Sequence, residues 1–286
     1  MFRQTCDGDR IAYGHARRAL AYDGERVSQI SSRQHPVVKR ARRLAAERED
    51  GVVLLDGAHL VAEALDAGLS IDAVLSDGRH PDLAERARRT GATAYEATAS
   101  VLEAASPVAS PTGIIAIAAW RPRALPDAFD TDAPVLGLVG VQDPGNVGSA
   151  IRSADALGAG AVLILDGSAD PASWRSLRGA MGSTFRIAVA HGGTADAIAE
   201  ARRRAWRVVA TAADGGVPLP DADLAPPVLL LLGSEGAGLD AAVHAAADET
   251  VTIPMREGAN SLNVSVSAAL VLWEARRQAN GRRRRS

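Results

Sequence analysis

The sequence predicts an α/β protein whose second half holds a largely parallel sheet, preceded by a smaller α/β unit. Three observations carry that expectation. Short apolar runs recur at 135–141, 161–165, 186–190, 207–212, 228–232 and 250–253, and helix-like stretches separate most of them. The run at 135–141 is nearly continuous, as in strands covered on both faces. Finally, three polar, glycine-containing segments each follow a strand-like run and lead into helix-like sequence, the place where open parallel sheets bind ligands.

Residues 1–24 mix charge, glycine and small residues without periodicity and read as a loose extension. Residues 25–120 form the smaller α/β unit. Within it a basic helix is expected over 36–48, a strand over 52–56 and a helix over 58–67 closed by Gly68. Further strands are expected at 73–76, 93–96 and 113–119. The stretch 121–133, rich in Pro, Asp and Ala, serves as a linker. The second domain spans 134–280, and a basic tail, 281–286, ends the chain.

Apolar residues make up 47% of the 286, which suits a globular core and argues against wholesale disorder. No apolar run approaches the roughly 20 residues of a membrane span, and no signal-type apolar segment stands near residue 1. The expectation is a soluble, cytoplasmic protein. The single cysteine, Cys6, cannot form an internal disulfide, and with six scattered histidines it gives no metal-ligand spacing. No metal is expected. A net charge of −2 does not announce a nucleic-acid binder, but its distribution is uneven. Lys39 is the only lysine, and basic residues gather at 33–43 and 282–285, clusters suited either to phosphate or to solvent.

The first segment is Asp143-Pro144-Gly145-Asn146-Val147-Gly148 with Arg152. Asn146 is placed to cap a helix running to Leu157 and closed by Gly158. Val147, Ala150, Ile151, Ala154 and Leu157 share one helical face, so Arg152 points away from it. An arginine there is either solvated or turned to an anion, which its fork binds bidentately. The second segment, Gly233-Ser234-Glu235-Gly236-Ala237-Gly238, lets backbone groups approach a ligand closely, and Glu235 is its one charged side chain. Taken alone, a tight turn bearing an exposed glutamate is the commoner explanation. The third runs from Ile253-Pro254-Met255 to Ser261-Leu262-Asn263, with Gly258 and Asn260 suited to a turn. Ser261 or Asn263 caps the last helix, where Val266, Leu270 and Trp273 form an apolar stripe for core or subunit contact.

Together the segments resemble the three signature motifs of the SpoU, or TrmH-like, branch of the SPOUT superfamily. These are RNA 2′-O-ribose methyltransferases that use S-adenosylmethionine. Asn146-Val147-Gly148 with Arg152 matches the first motif, Gly233-Ser234-Glu235-Gly236 with Gly238-Leu239 the second, and Ile253-Pro254-Met255 with Ser261-Leu262-Asn263-Val264-Ser265 the third. The preceding unit is similar to the family's L30e-like substrate-binding domain through Ile30-Ser31-Ser32-Arg33, Asp56-Gly57-Ala58-His59 and Thr112-Gly113-Ile114. The combination is closer to members that modify ribosomal RNA, favouring 23S ribosomal RNA over tRNA.

The resemblance implies a deep trefoil knot in the second domain, a homodimer and an active site near the subunit interface. It assigns the reaction to Asn146, Arg152, Glu235, Ser261 and Asn263, and places Thr211, Gly233, Ile253, Met255 and Leu262 around the adenosine of the cofactor. Arg33, Lys39, Arg40, Arg42 and Arg43 become the RNA-phosphate contacts. The family casts Arg152 as a base. A guanidinium is a poor proton acceptor, so Arg152 is better read as gripping an RNA phosphate, with that phosphate or a water taking the proton. Asn146 would orient the ribose or Arg152, and Glu235 would pair with Arg152 or Asn146. Two readings compete. An NAD-dependent enzyme conflicts with the glycine order, G-x-x-G-x-G rather than G-x-G-x-x-G. A non-catalytic RNA-binding assembly factor leaves the intact polar residues of the motifs without a use.

Overall fold

The computed structural model describes residues 28–258 and 261–283. The extension 1–24, the end of the tail and Asn260 lie outside the described residues.

The first unit runs β1 (Ser28–Ile30), α1 (Pro36–Ala46), β2 (Val52–Asp56), α2 (Ala58–Asp66), β3 (Ile71–Ser76), α3 (Pro81–Arg89), β4 (Thr93–Ala97), α4 (Ala99–Ala105) and β5 (Ile114–Ala119). Its sheet has the order β1-β4-β3-β5-β2, with β5 antiparallel to both neighbours and the other pairs parallel. Both faces are covered, and β5 shows why the strand is apolar throughout. Ile115 and Ile117 face the core under α1 and α4, whereas Ile114, Ala116 and Ala118 face that under α2 and α3. α1 begins at a proline after His35, whose Nδ1 accepts from Val37 N at 3.4 Å.

The linker is not a free connection. Arg123 N donates to Val189 O at 2.8 Å, and a 3-10 turn, Leu125–Phe129, buries Ala128 and Phe129. The Phe129 ring meets Trp206 edge-on with centroids 5.2 Å apart.

The second unit continues with β6 (Val135–Leu138), α5 (Pro144–Leu157), β7 (Ala161–Ile164), α6 (Trp174–Ala180), α7 (Ser183–Arg186), β8 (Ala188–His191), α8 (Thr194–Arg203), β9 (Arg207–Ala212), β10 (Val217–Pro218), β11 (Val228–Leu232), α9 (Ala241–Ala246), β12 (Glu249–Thr252) and α10 (Val264–Arg283). All pairs are parallel, in the order β10-β12-β9-β11-β6-β7-β8. β6 and β11 occupy the middle, and every residue of both is buried. α5 and α10 cover one face through Ile151, Ala154, Ala268 and Val271, and α8 and α9 cover the other. Because the strands are parallel, the segments after β6, β11 and β12 emerge on one edge.

Three local expectations change. Asp143, not Asn146, caps α5, its Oδ1 accepting from Asn146 N at 2.8 Å, with Pro144 in the first turn. The strand expected over 186–190 begins at Ala188, because Arg186 ends α7 and is held by Glu63 and Asp155. α10 continues through Arg283, so the basic tail starts as helix. Gly158 closes α5 in the left-handed conformation at φ 77°, as expected.

The units are docked together. Leu177 of α6 lies in the core formed by α2 and α3, and Trp120 meets Phe185 edge-on at 6.5 Å. The Glu63–Arg186–Asp155 pairing spans the join, and His59 Nε2 lies 3.1 Å from Met181 O.

Candidate active site

β6 ends at Leu138, and α5 starts six residues later. Gly148 lets α5 approach α6, since a Cβ there would lie 2.2 Å from Ser176 O. This packing fixes the first turn of α5 and presents Asn146 at the sheet edge. After β11, the chain doubles back so tightly that a Cβ on Gly233 would lie 2.1 Å from the Gly238 carbonyl carbon and 2.4 Å from Leu239 N. Gly238 N donates to Ser234 O at 3.0 Å and closes the turn that carries Glu235 outward. α10 is capped by Asn263, whose Oδ1 accepts from Ser265 N at 3.0 Å and Ser265 Oγ at 2.6 Å. Of the two proposed caps, it is Asn263 that serves.

These three turns meet in one network. Asn146 Nδ2 donates to Glu235 Oε1 at 2.9 Å, and Asn263 Nδ2 donates to the same oxygen at 2.7 Å. Asn263 Nδ2 also lies 3.0 Å from Asn146 Oδ1, and Val264 N donates to Glu235 Oε1 at 3.2 Å. Glu235 therefore pairs with Asn146 and not with Arg152. A single carboxylate oxygen accepting three N–H groups holds both amides in fixed orientations.

The network separates two clefts. One, of about 450 Å³, is lined by Thr211, Gly233, Ile253, Met255 and Leu262, so all five residues expected around adenosine meet there. Its walls are aliphatic at Leu232, Leu239, Ile253 and Leu262, with backbone and small polar groups between them. That combination and volume suit a nucleoside: apolar walls for the base faces, and a glycine turn whose backbone can come close. The other cleft, also about 450 Å³, is lined by Gly140, Gln142, Asp143, Asn146 and Glu235. Ser261 lines the first cleft and makes no hydrogen bond among the described residues.

Arg152 is exposed on α5, about one and two-thirds turns beyond Asn146, and has no ion-pair partner among the described residues. The basic cluster of the first unit divides. Arg33 and Lys39 are exposed and unpaired among the described residues. Arg42 donates to Ala104 O at 3.1 Å, and Arg43 pairs with Glu49 at 3.0 Å. Arg40 is partly buried between Asp72 and Glu49. Burial works against its charge, but hydrogen bonds to Asp72 and Glu49 hold its pKa above the ordinary arginine value.

Two features gave little signal in the sequence. Asp143 and Asn146 are both good caps, and only Pro144 at the first helical position favours Asp143. His244 lines the first cleft from α9, a six-residue helix too short to show periodicity.

Comparison with known proteins bears on most of the chain. Residues 133–273 match the SpoU rRNA Methylase family, and residues 35–116 match the MRM3-like substrate binding domain. The 23S rRNA (guanosine(2553)-2′-O)-methyltransferase RlmP of Bacillus subtilis is 32% identical over 87% of this chain and 100% of its own length. The 23S rRNA (uridine(2479)-2′-O)-methyltransferase of Streptomyces viridochromogenes is 34% identical over 80% of this chain and 83% of its own. A crystal structure of an AdoMet-bound rRNA methyltransferase from Sinorhizobium meliloti superposes with a TM-score of 0.80 at 32% identity, covering 88% of this chain and 98% of that one. Matched in both units and along most of its length, the chain belongs to the SpoU rRNA methylase family.

Proposed function

We propose that the protein is an S-adenosylmethionine-dependent RNA 2′-O-ribose methyltransferase acting on 23S ribosomal RNA in the cytoplasm. The observation that carries this is the Asn146–Glu235–Asn263 network standing between two clefts. One cleft suits a nucleoside cofactor, and the other opens beside Asn146 toward α5. The names of the relatives from Bacillus subtilis and Streptomyces viridochromogenes favour ribosomal RNA over tRNA. Among the described residues no helix is long and apolar enough to cross a membrane.

When bound, S-adenosylmethionine supplies a methyl group made electrophilic by the sulfonium. Thr211, Gly233, Ile253, Met255 and Leu262 would hold it, with Ser261 also on the cleft wall. Asn146, its amide oriented by Glu235 and Asn263, positions the acceptor ribose; such positioning supplies much of the acceleration in a reaction between two bound partners. Arg152 grips the RNA phosphate beside that ribose, and the hydroxyl proton leaves to this phosphate or to a water. Arg33, Lys39, Arg42 and Arg43, with Arg40 structuring the cluster, form the RNA-facing side of an L30e-like domain.

The insertion of β11 between β9 and β6, followed by the return of the chain from β12 to α10 against α5, supports a trefoil knot in the second domain. Val266, Leu270 and Trp273 are 46%, 38% and 58% exposed on α10, and this apolar stripe supports a homodimer whose contact lies near the site.

The test is incubation with S-adenosylmethionine tritiated in the methyl group and separate ribosomal and transfer RNA pools, followed by nucleoside analysis. Label in a 2′-O-methylnucleoside of ribosomal RNA is expected. Label confined to tRNA, or to a base, contradicts the proposal.

A further inference from the structure

Among the described residues, two ionisable side chains line the cofactor cleft, Glu235 and His244. Glu235 turns its Oε1 to Asn146, Asn263 and Val264. His244 belongs to no part of the network. It projects from α9 one residue after Val243, which is buried in the core under that helix. The helix is pinned at its start by Asp240, whose Oδ1 accepts from Val243 N at 2.8 Å. The imidazole is pinned as well. Its Nδ1 lies 3.2 Å from Thr250 Oγ1 on β12, the strand that runs directly into Ile253 and Met255. Nδ1 is thus engaged, while Nε2 has no hydrogen-bond partner among the described residues. A ring held by one nitrogen at the wall of a cleft offers the other nitrogen to whatever occupies it.

The position says which part of an occupant it meets. His244 shares the cleft with the aliphatic residues Ile253, Leu262 and Leu239 and with Met255, which suit the faces of a purine. Such walls leave the polar edge of the nucleoside in need of a partner, since a buried polar group without one is costly. Of the other side-chain groups in the cleft, Thr211 Oγ1 already donates to Leu231 O at 3.2 Å and Ser234 Oγ accepts from Ala237 N at 3.3 Å, while the Ser261 and Ser267 hydroxyls, like His244 Nε2, have no partner among the described residues.

Resting on the reading of this cleft as the cofactor site, we propose that His244 is a cofactor-binding residue. Its Nε2 makes a hydrogen bond to the adenosine part of the ligand, with Thr250 acting as the residue that orients the ring.

The experiment is calorimetric titration of two probes into the full chain. S-adenosylhomocysteine carries the nucleoside and the amino-acid arm, and 5′-methylthioadenosine carries the nucleoside alone. His244→Leu is expected to weaken both by the same factor, about five- to tenfold, as for one lost hydrogen bond. His244→Gln, whose amide reaches the place of Nε2, recovers most of that loss. Thr250→Val weakens both ligands by a smaller factor, because the ring stays but is no longer held; it carries the test if His244→Leu does not fold. Equal binding of both probes by parent and His244→Leu overturns the inference. So does a loss confined to S-adenosylhomocysteine, which places His244 at the amino-acid arm. If the parent binds neither probe, the reading of the cleft itself fails and takes this inference with it.

Discussion

Replacing Glu235 separates what its network does for stability from what it does for chemistry. Its Oε1 accepts from Asn146 Nδ2 at 2.9 Å, Asn263 Nδ2 at 2.7 Å and Val264 N at 3.2 Å. In Glu235→Ala all three donors lose this acceptor. Glu235 and Asn263 are exposed in the free protein, so water replaces the carboxylate and the cost to folding stays below about 1 kcal/mol. That is a fall in Tm of no more than about 4 °C for a chain of this size. With RNA and cofactor in place the same groups are shielded, where a bond to an ionised acceptor is worth about 1.5–3 kcal/mol. Losing the orientation of Asn146 and Asn263 together should lower single-turnover methyl transfer by about 10²–10³-fold. Glu235→Gln keeps one acceptor oxygen without its charge and should fall between. The assay is single-turnover transfer at saturating cofactor and RNA, with thermal denaturation of each variant alongside. Transfer by Glu235→Ala close to that of the parent would refute the reasoning. So would a large fall in Tm that accounts for the lost activity by unfolding.

Other outcomes follow from the same geometry. Arg152→Ala should lower turnover by about 10²–10³-fold and leave the cofactor dissociation constant unchanged, with Arg152→Lys intermediate because the fork is lost while the charge stays. Equal losses in turnover and cofactor affinity would contradict the phosphate-gripping role. Reversing Arg33 and Lys39 to Glu should weaken ribosomal RNA binding and flatten its logarithmic salt dependence by about 1.5 units. Arg40→Ala should instead show first as lost thermal stability, because Arg40 is tied to Asp72 and Glu49. Leu270→Asp with Trp273→Asp should shift the protein from dimer to monomer in sedimentation while each chain stays folded, as both side chains are exposed on α10. A parent protein that sediments as a monomer at tens of micromolar would remove that proposal.

Much of the fold is written locally. The strands 207–212 and 228–232 coincide with β9 and β11, because continuous apolar runs bounded by polar turns have few other outcomes in an α/β chain. Gly158 ends α5 where its lack of a side chain suits a left-handed residue. What was not legible depends on partners distant in sequence. Arg186 looks like the start of a strand until Glu63 and Asp155 hold it at the end of α7. α10 carries two apolar faces, and the sequence alone does not say that Val264, Ala268, Val271 and Ala275 turn inward while Val266, Leu270 and Trp273 stay out.

The site shows the same division. Asn146, Glu235 and Asn263 were each visible as polar residues in glycine-containing turns. The family resemblance offered Glu235 either Arg152 or Asn146 as a partner, and the structure shows Asn146; the part played by Asn263 was not legible, since it stands 117 residues from Asn146 and the two meet only because parallel strands bring three turns to one edge. His244 had no local pattern at all and is found only by asking what lines the cleft.

The most direct test of the central claim is mass-spectrometric mapping of ribose methylation in 23S ribosomal RNA from cells lacking this protein. The account predicts the loss of a 2′-O-methyl mark that returns with the parent chain and not with Asn146→Ala. Unchanged 23S ribosomal RNA methylation, or a mark restored equally well by Asn146→Ala, would contradict it.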